Sequence, residues 1–285
     1  MHSTKNSIEI LSFDGGGSRG VMALKILDDV FRLATIVLRN PETVEYLVNE
    51  ESKEQKKHFL EDLDSRKRLI KNLKAVKDPI HPAHVYDMIV GTSIGGLISF
   101  GLVGGKRVGK DHHERKAMTI TECIEMYLTK AKIIFKKTWI IRFFYFISKF
   151  LKIPLIPYPQ ANIKKMLKDQ FGDCYLNDFR KNNDSSSVVG AVAKKVDPHE
   201  DIVLFDTANE DQKNYKAYEI LLATSNAPVY FETPVTIGDS KYIDGGIGAN
   251  CPLKQAIPRA KEIFEEDDEH KKLVSVLSIA HHLPN

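Results

Sequence analysis

Short apolar runs alternate with segments of helical periodicity along most of the chain. The apolar runs predict buried strands, the main ones at residues 8–13, 85–90, 188–196 and 273–280. Segments with apolar residues at helical spacing lie between them, at residues 21–38, 119–135, 161–170, 218–223 and 252–260. Strands that alternate with helices favour a mostly parallel sheet covered on both faces. The pattern therefore predicts a three-layer α/β/α fold.

Two segments interrupt this alternation. Residues 49–78 are densely charged with both signs and carry apolar residues at helical spacing, which predicts a solvated helix or a pair of helices. We therefore expect one domain over residues 1–285, with a charged helical insertion at about residues 40–80. Residues 101–116 contain two adjacent glycines and two adjacent histidines, a composition typical of an exposed loop.

Composition excludes several classes of protein. The chain has 285 residues, of which 42% are hydrophobic, and a net charge of only +3, which argues against a dedicated nucleic-acid-binding protein. Its three cysteines, Cys123, Cys174 and Cys251, are far apart and have no metal-ligand spacing. The first residues enter a strand without a signal-peptide stretch, and no apolar run is long enough to span a membrane. We expect a cytoplasmic protein that uses no metal or other cofactor.

The segment from Lys130 to Lys152 is basic and aromatic. No acidic residue occurs between Glu125 and Asp169, and lysines alternate there with tryptophan, phenylalanine and tyrosine. Such a segment suits the interface of an anionic membrane. Its aromatic side chains would equally suit the core, or the wall of a pocket for an acyl chain, with the lysines facing solvent. The sequence leaves both interpretations open, and the first predicts a peripheral membrane protein.

A glycine-rich run follows the first predicted strand. Its sequence is Asp14-Gly15-Gly16-Gly17-Ser18-Arg19-Gly20, directly before a predicted helix. Uncovered backbone N–H groups at the start of a helix attract anions. The run also fits a dinucleotide-binding fingerprint, but that interpretation needs an acidic residue about 20 positions later at the end of a second strand. Glu42 is the nearest candidate and has no strand before it, so the dinucleotide interpretation is weak.

A second motif supplies a candidate nucleophile. Residues 91–95 read Gly-Thr-Ser-Ile-Gly between a predicted strand and a predicted helix, the context of a nucleophile elbow. This turn exposes the hydroxyl of Ser93. An exposed serine together with a backbone anion site can attack an ester carbonyl and stabilise the oxyanion that forms.

Four motifs in order resemble the patatin-like phospholipase family. They lie at residues 14–20, 91–95, 223–231 and 242–252, and the resemblance spans nearly the whole chain. It implies a serine hydrolase that cleaves fatty-acyl esters of phospholipids or related lipids, with a lipid substrate and no cofactor.

The resemblance also implies roles for particular residues. Ser93 would attack the carbonyl carbon, and Asp244 would accept its proton and later activate water. The backbone N–H groups of Gly15, Gly16 and Gly17 would form the oxyanion hole. Arg19 would orient that loop rather than act as a chemical group, and a contact with a lipid phosphate is its alternative role.

Two alternatives to this mechanism remain open from the sequence. In a Ser-Asp-His triad the base would be a histidine late in the chain, and His270, His281 and His282 are the candidates. A second alternative is a lipid-binding adaptor that keeps the fold without catalysis. The presence of both Ser93 and Asp244 argues against the adaptor.

Overall fold

The computed structural model describes most of the chain. It covers residues 7–39, 63–108, 114–134, 158–181, 185–197, 199–228, 230–231, 233–265 and 273–280. Its strands are β1 (Ser7–Phe13), β2 (Met88–Thr92), β3 (Lys106–Val108), β4 (Glu114–Lys116), β5 (Val188–Asp197), β6 (Asp201–Asp206), β7 (Val235–Ile237), β8 (Ser240–Asp244) and β9 (Leu273–Ile279). Its α-helices are α1 (Gly20–Arg39), α2 (Leu63–Ala75), α3 (Ile94–Gly104), α4 (Ile120–Ile134), α5 (Gln160–Phe171), α6 (Leu176–Lys181), α7 (Ala217–Thr224) and α8 (Leu253–Phe264).

Seven strands form one mixed sheet. Its order is β7-β8-β5-β2-β1-β9, and β6 also pairs with β5. Strands β9, β1, β2 and β5 run parallel, whereas β6, β7 and β8 join as antiparallel neighbours. Strands β3 and β4 form a separate antiparallel pair.

Helices cover both faces of this sheet, and the side chains of its central strands are buried on both faces. In β1, Ile8 and Ile10 pack in a cluster with Ala256 and Ala260 of α8, on one face. Leu11 and Phe13 belong to the larger cluster on the other face, which includes α1, α3, α4, α5 and α7. Successive side chains of a strand point to opposite faces, which accounts for this division. The predicted α/β/α fold with a mostly parallel central sheet is confirmed.

The register of β5 brings two distant parts of the chain together. Strand β6 runs along one side of β5. On the other side, Gly190 of β5 pairs with Val90 of β2, and Ala193 pairs with Asp244 of β8. Strands β2 and β8 therefore follow one another along the same side of β5, and their carboxyl ends meet there.

The predicted exposed loop at residues 101–116 is wrong for residues 101–108 and 114–116, whereas residues 109–113 lie outside the described residues. Helix α3 continues through Gly104, where a Cβ atom would lie only 2.8 Å from the ring of Phe179. Arg115 in β4 is buried, and its guanidinium donates to the carbonyls of Gly104 and Phe171 and lies 5.0 Å from the centre of the Phe179 ring. The glycine is therefore needed for close packing rather than for a turn.

The late strand is present but is not buried as expected. β9 lies at the end of the sheet order and pairs with β1 alone among the described strands. Leu273 is 74% exposed and Val276 is 37% exposed. The apolar run at residues 273–280 predicts a buried strand because such runs are typical of central strands. Composition alone does not distinguish a strand at the centre of a sheet from one at its edge.

The charged insertion and the basic aromatic segment are described only in part. α2 accounts for the second half of the insertion, and Arg32 of α1 joins it by donating to the carbonyls of Leu73 and Val76. Residues 40–62 and 135–157 lie outside the described residues, so the membrane and core interpretations of the latter segment both stay predictions. No helix within the described ranges is both long and apolar enough to cross a bilayer.

Candidate active site

The turn between β2 and α3 is tightly constrained by its two glycines. Ser93 has φ 56° and ψ −124°, and it alone among the described non-glycine residues has a positive φ. A Cβ atom at Gly91 would lie 2.1 Å from the carbonyl carbon of Gly95, and one at Gly95 would lie 2.4 Å from the carbonyl oxygen of Phe13. Such a backbone conformation costs about 1–3 kcal/mol in a non-glycine residue and persists only where its surroundings enforce it.

Ser93 and Asp244 form a hydrogen-bonded pair. The Ser93 hydroxyl donates to the Asp244 Oδ2 atom over 2.7 Å. The pair forms because Ser93 directly follows β2 and Asp244 ends β8, and those two ends meet along β5. The Ser93 N–H donates to the Thr224 hydroxyl over 2.9 Å, and that hydroxyl donates to the carbonyl of Val192 in β5. Thr224 thereby fixes the strained turn to the sheet.

The Asp244 carboxyl is buried and held on both sides. Its Oδ1 atom accepts from the Gly246 N–H over 2.7 Å, and its own N–H donates to the Asn226 carbonyl over 3.1 Å. Burial raises the pKa of Asp244 to about 6, although the hydrogen bonds from Gly246 and Ser93 partly offset that rise. At neutral pH the group is therefore mainly a carboxylate, but a more basic one than an exposed aspartate.

The glycine-rich loop passes directly beside Ser93. A Cβ atom at Gly15 would lie 3.4 Å from the Ser93 Cβ atom. The Gly15 N–H donates to the carbonyl of Asn250 over 3.0 Å, whereas the N–H groups of Gly16 and Gly17 have no acceptor among the described residues. Gly17 has φ +52°, which makes glycine the favoured residue there. Two neighbouring backbone donors therefore stay available next to the serine.

Contacts from a helix and a short turn hold the far side of this loop. The Tyr127 hydroxyl on α4 donates to the Gly17 carbonyl over 2.7 Å. The Arg19 N–H donates to the Gly16 carbonyl over 3.0 Å and closes a turn of 3₁₀ helix, while its side chain lies at the exposed end of the site.

A cavity of about 490 Å³ opens at this pair of residues. All the predicted site residues, namely Gly15, Gly16, Gly17, Arg19, Ser93 and Asp244, line it. Most of its remaining wall is apolar and comes from α3, α4, α5 and the segment after α7, including Ile94, Leu97, Ile98, Met126, Ile163, Met166, Phe171 and Phe231. The volume lies within the usual range for small-molecule sites. An apolar cavity with one hydrogen-bonded polar pair in its wall suits a ligand with a hydrocarbon chain and one reactive polar group.

Several residues that support the site were not identified individually from the sequence. Thr224 and Asn226 lie in the motif at residues 223–231, and Asn250 lies in the motif at residues 242–252. Thr224 acts through its side chain, whereas Asn226 and Asn250 contact Asp244 and Gly15 through backbone carbonyls. Residue type gives no signal for a contact made by a carbonyl.

The structure does not describe the alternative base. His270, His281 and His282 lie outside the described residues, and no histidine occurs among the described residues that line the cavity. Within those same ranges, no three His, Cys, Asp or Glu side chains cluster closely enough to hold a metal ion.

Comparisons with known proteins identify similar chains. The sequence model of the patatin-like phospholipase family matches residues 73–257. A cGAMP-activated phospholipase of Vibrio cholerae is 24% identical over 255 residues, which cover 87% of this chain and 56% of that protein. A cGAMP-activated phospholipase of Escherichia coli is 25% identical over 254 residues, with 87% and 54% covered. Patatin-like protein 2 of Oryza sativa subsp. indica is 24% identical over 279 residues, with 92% and 55% covered. The chain thus spans about half the length of these relatives.

Proposed function

Because the chain belongs to the patatin-like phospholipase family, we propose that it hydrolyses fatty-acyl esters of phospholipids or related lipids with a Ser93–Asp244 dyad. The observation that carries this proposal is the 2.7 Å hydrogen bond between the two side chains, both of which line an apolar cavity. The proposal treats residues 1–285 as one catalytic domain. Its substrate lies in a bilayer, so the protein would act while bound peripherally to a membrane.

In the acylation step the Ser93 Oγ atom attacks the carbonyl carbon of the ester. The serine proton moves to the Asp244 Oδ2 atom, and the carbonyl oxygen becomes an oxyanion. Collapse of this intermediate breaks the bond to the alcohol, which leaves with the proton from Asp244. Water then attacks the acyl-enzyme, Asp244 takes the proton from water and returns it to Ser93, and a free fatty acid leaves.

The N–H groups of Gly16 and Gly17 are the proposed donors to the oxyanion. The family resemblance implies Gly15 as a third donor to the oxyanion. Its N–H already donates to the Asn250 carbonyl, so in this proposal Gly15 shapes the loop. A carboxylate is a weak base toward a serine hydroxyl, so much of the rate would come from these donors, at about 10²–10³-fold each. Arg19 and Tyr127 keep the loop in place.

Release of fatty acid tests the proposed activity. The protein is incubated with vesicles of defined phospholipids, and the products are identified by mass. We expect free fatty acid and a lysophospholipid, together with labelling at Ser93 by a fluorophosphonate. If every phospholipid stays intact and Ser93 is not labelled, the proposed hydrolase activity is rejected and the adaptor alternative is favoured.

The acid limb of the pH profile should report Asp244. Since the pKa of Asp244 is raised to about 6, we expect kcat to fall about tenfold per pH unit below pH 6, because the protonated carboxyl cannot accept the Ser93 proton. The same raised pKa means that ionising Asp244 costs folding stability. This group therefore favours the folded state at low pH and loses that contribution as the pH rises through about 6.

Kinetics of a soluble ester between pH 4 and 8, with circular dichroism at each pH, provide the measurement. The protein should still be folded where activity is lost. A midpoint near the ordinary aspartate value of 3.8 would contradict a raised pKa for the group that controls the rate.

A further inference from the structure

One face of α4 lines the cavity, from the fully buried Cys123 to the half-buried Lys130. The lining residues on this helix are Cys123, Met126, Tyr127 and Lys130, a spacing that places them on a single helical face. Cys123 is fully buried, while the other three are only half-buried. The wall therefore begins as apolar surface and ends one turn past Tyr127 in a cation.

Lys130 has no ion pair or hydrogen bond with any residue that the structure describes. Among the described residues that line the cavity, Asp244 is the only acidic one, and it already accepts hydrogen bonds from Ser93 and Gly246. A half-buried ammonium beside apolar surface gains most from an anionic ligand, because charge-assisted hydrogen bonds are stronger than neutral ones.

A contact of the neighbouring Tyr127 shows that Lys130 lies close to the place proposed for the reacting ester. The Tyr127 hydroxyl contacts the Gly17 carbonyl over 2.7 Å, so this part of α4 lies against the proposed oxyanion hole. Residues three apart on a helix have Cβ atoms about 5–6 Å from each other. An extended lysine side chain at position 130 can therefore reach a group a few bonds away from an ester carbonyl bound at Gly16 and Gly17.

The orientation of the substrate follows from the same wall. In the proposed reaction the acyl chain would occupy the buried apolar part of the cavity, which residues such as Met166 and Phe171 line. The alcohol part of the ester would then point toward the less buried end of the α4 face, where Lys130 lies. In a phospholipid this part carries a phosphate close to the ester.

Resting on the proposed function, we propose that Lys130 binds the phosphate of the substrate's head group and selects phosphorylated acyl esters over neutral ones. The ligand is a phosphate anion joined by glycerol to the reacting ester. Lys130 is thus a specificity-determining residue for the reaction of Ser93.

Two matched substrates test this selection. 1-Acyl-glycerol 3-phosphate and 1-acyl-glycerol, with the same acyl chain, differ only in the phosphate. The measured quantity is the ratio of kcat/KM for the phosphorylated ester to kcat/KM for the neutral ester. We expect this ratio to fall roughly tenfold or more in Lys130→Gln, because a charge-assisted hydrogen bond is lost. It should fall further in Lys130→Glu and be largely restored in Lys130→Arg.

Lys164→Gln is the matched control, because it removes the same charge from an exposed position of α5 outside the cavity lining. Its ratio should equal that of the original protein. An unchanged ratio in both Lys130→Gln and Lys130→Glu, with both esters still cleaved, would overturn the role of Lys130 and leave the proposed function intact. A second outcome would also overturn the proposal. If inorganic phosphate inhibits cleavage of the neutral ester as strongly as 1-acyl-glycerol 3-phosphate does, Lys130 binds a free anion rather than the phosphate of a substrate.

A binding measurement covers the case in which neither ester is cleaved and the proposed function itself fails. The dissociation constant of 1-acyl-glycerol 3-phosphate is then compared between the original protein and Lys130→Gln by calorimetry. Weaker binding in the variant would support the phosphate contact on its own, and equal binding would reject it.

Discussion

Replacement of Ser93 by alanine is expected to lower fatty-acid release by about 10⁴-fold or more, the size of loss that follows removal of a covalent nucleophile. The variant should also escape labelling by a fluorophosphonate. Alanine keeps the Cβ atom and the backbone conformation of the elbow, so the fold should be unaffected. Fatty-acid release from phospholipid vesicles and the mass of the labelled protein give the measurement.

Ser225→Ala provides the matched control for this variant. Ser225 lines the same cavity, but its hydroxyl donates to the Leu221 carbonyl over 2.6 Å and has no carboxylate partner in the described structure. The Ser225 variant should still be labelled at Ser93. Hydrolysis at the original rate by Ser93→Ala would reject the proposed mechanism.

Asp244→Asn is expected to lower kcat by about 10²–10⁴-fold, the usual contribution of a general base. The amide keeps the shape of the side chain. Its oxygen can still accept from the Gly246 N–H, and its nitrogen can donate to the Ser93 Oγ atom, so the serine stays in position without a base. Stopped-time assays with a soluble ester and with phospholipid vesicles measure the loss.

A triple variant separates the dyad from a triad. In this variant His270, His281 and His282 are all replaced by alanine. If Asp244 is the base, kcat should change by less than about threefold, whereas loss of a general base lowers kcat by about 10²–10⁴-fold. If the triple variant is inactive while Asp244→Asn retains its rate, the base is a histidine and the dyad must be abandoned.

The sequence predicted the parts of the site that depend on local pattern. The elbow at Ser93 was predictable because its glycines are required by contacts within a few residues and with the adjacent strand β1. The glycine-rich loop was predictable for a similar reason, since Gly17 needs a positive φ. Asp244 alone could not be distinguished from an ordinary turn aspartate, and it was identified only through the family resemblance.

Features that depend on tertiary packing were not predictable. Gly104 looks like a loop residue, yet it is helical because the Phe179 ring occupies the space of a side chain. The exposure of Leu273 depends on the position of β9 in the sheet, which the composition of the strand does not encode. The hydrogen bond from Gly15 to Asn250 joins two backbones far apart in sequence, so no residue type indicated that one of three expected oxyanion donors was already occupied.

The meeting of β2 and β8 along β5 has a consequence for the order in which the protein becomes active during synthesis. The serine is made 151 residues before the aspartate, and all of β5 lies between them. A growing chain that has folded only as far as β5 would carry the proposed nucleophile without the proposed base, and the segment that holds Gly15 through the Asn250 carbonyl has not yet been made. Under the proposed dyad, hydrolytic activity would therefore arise only when β8 joins the sheet.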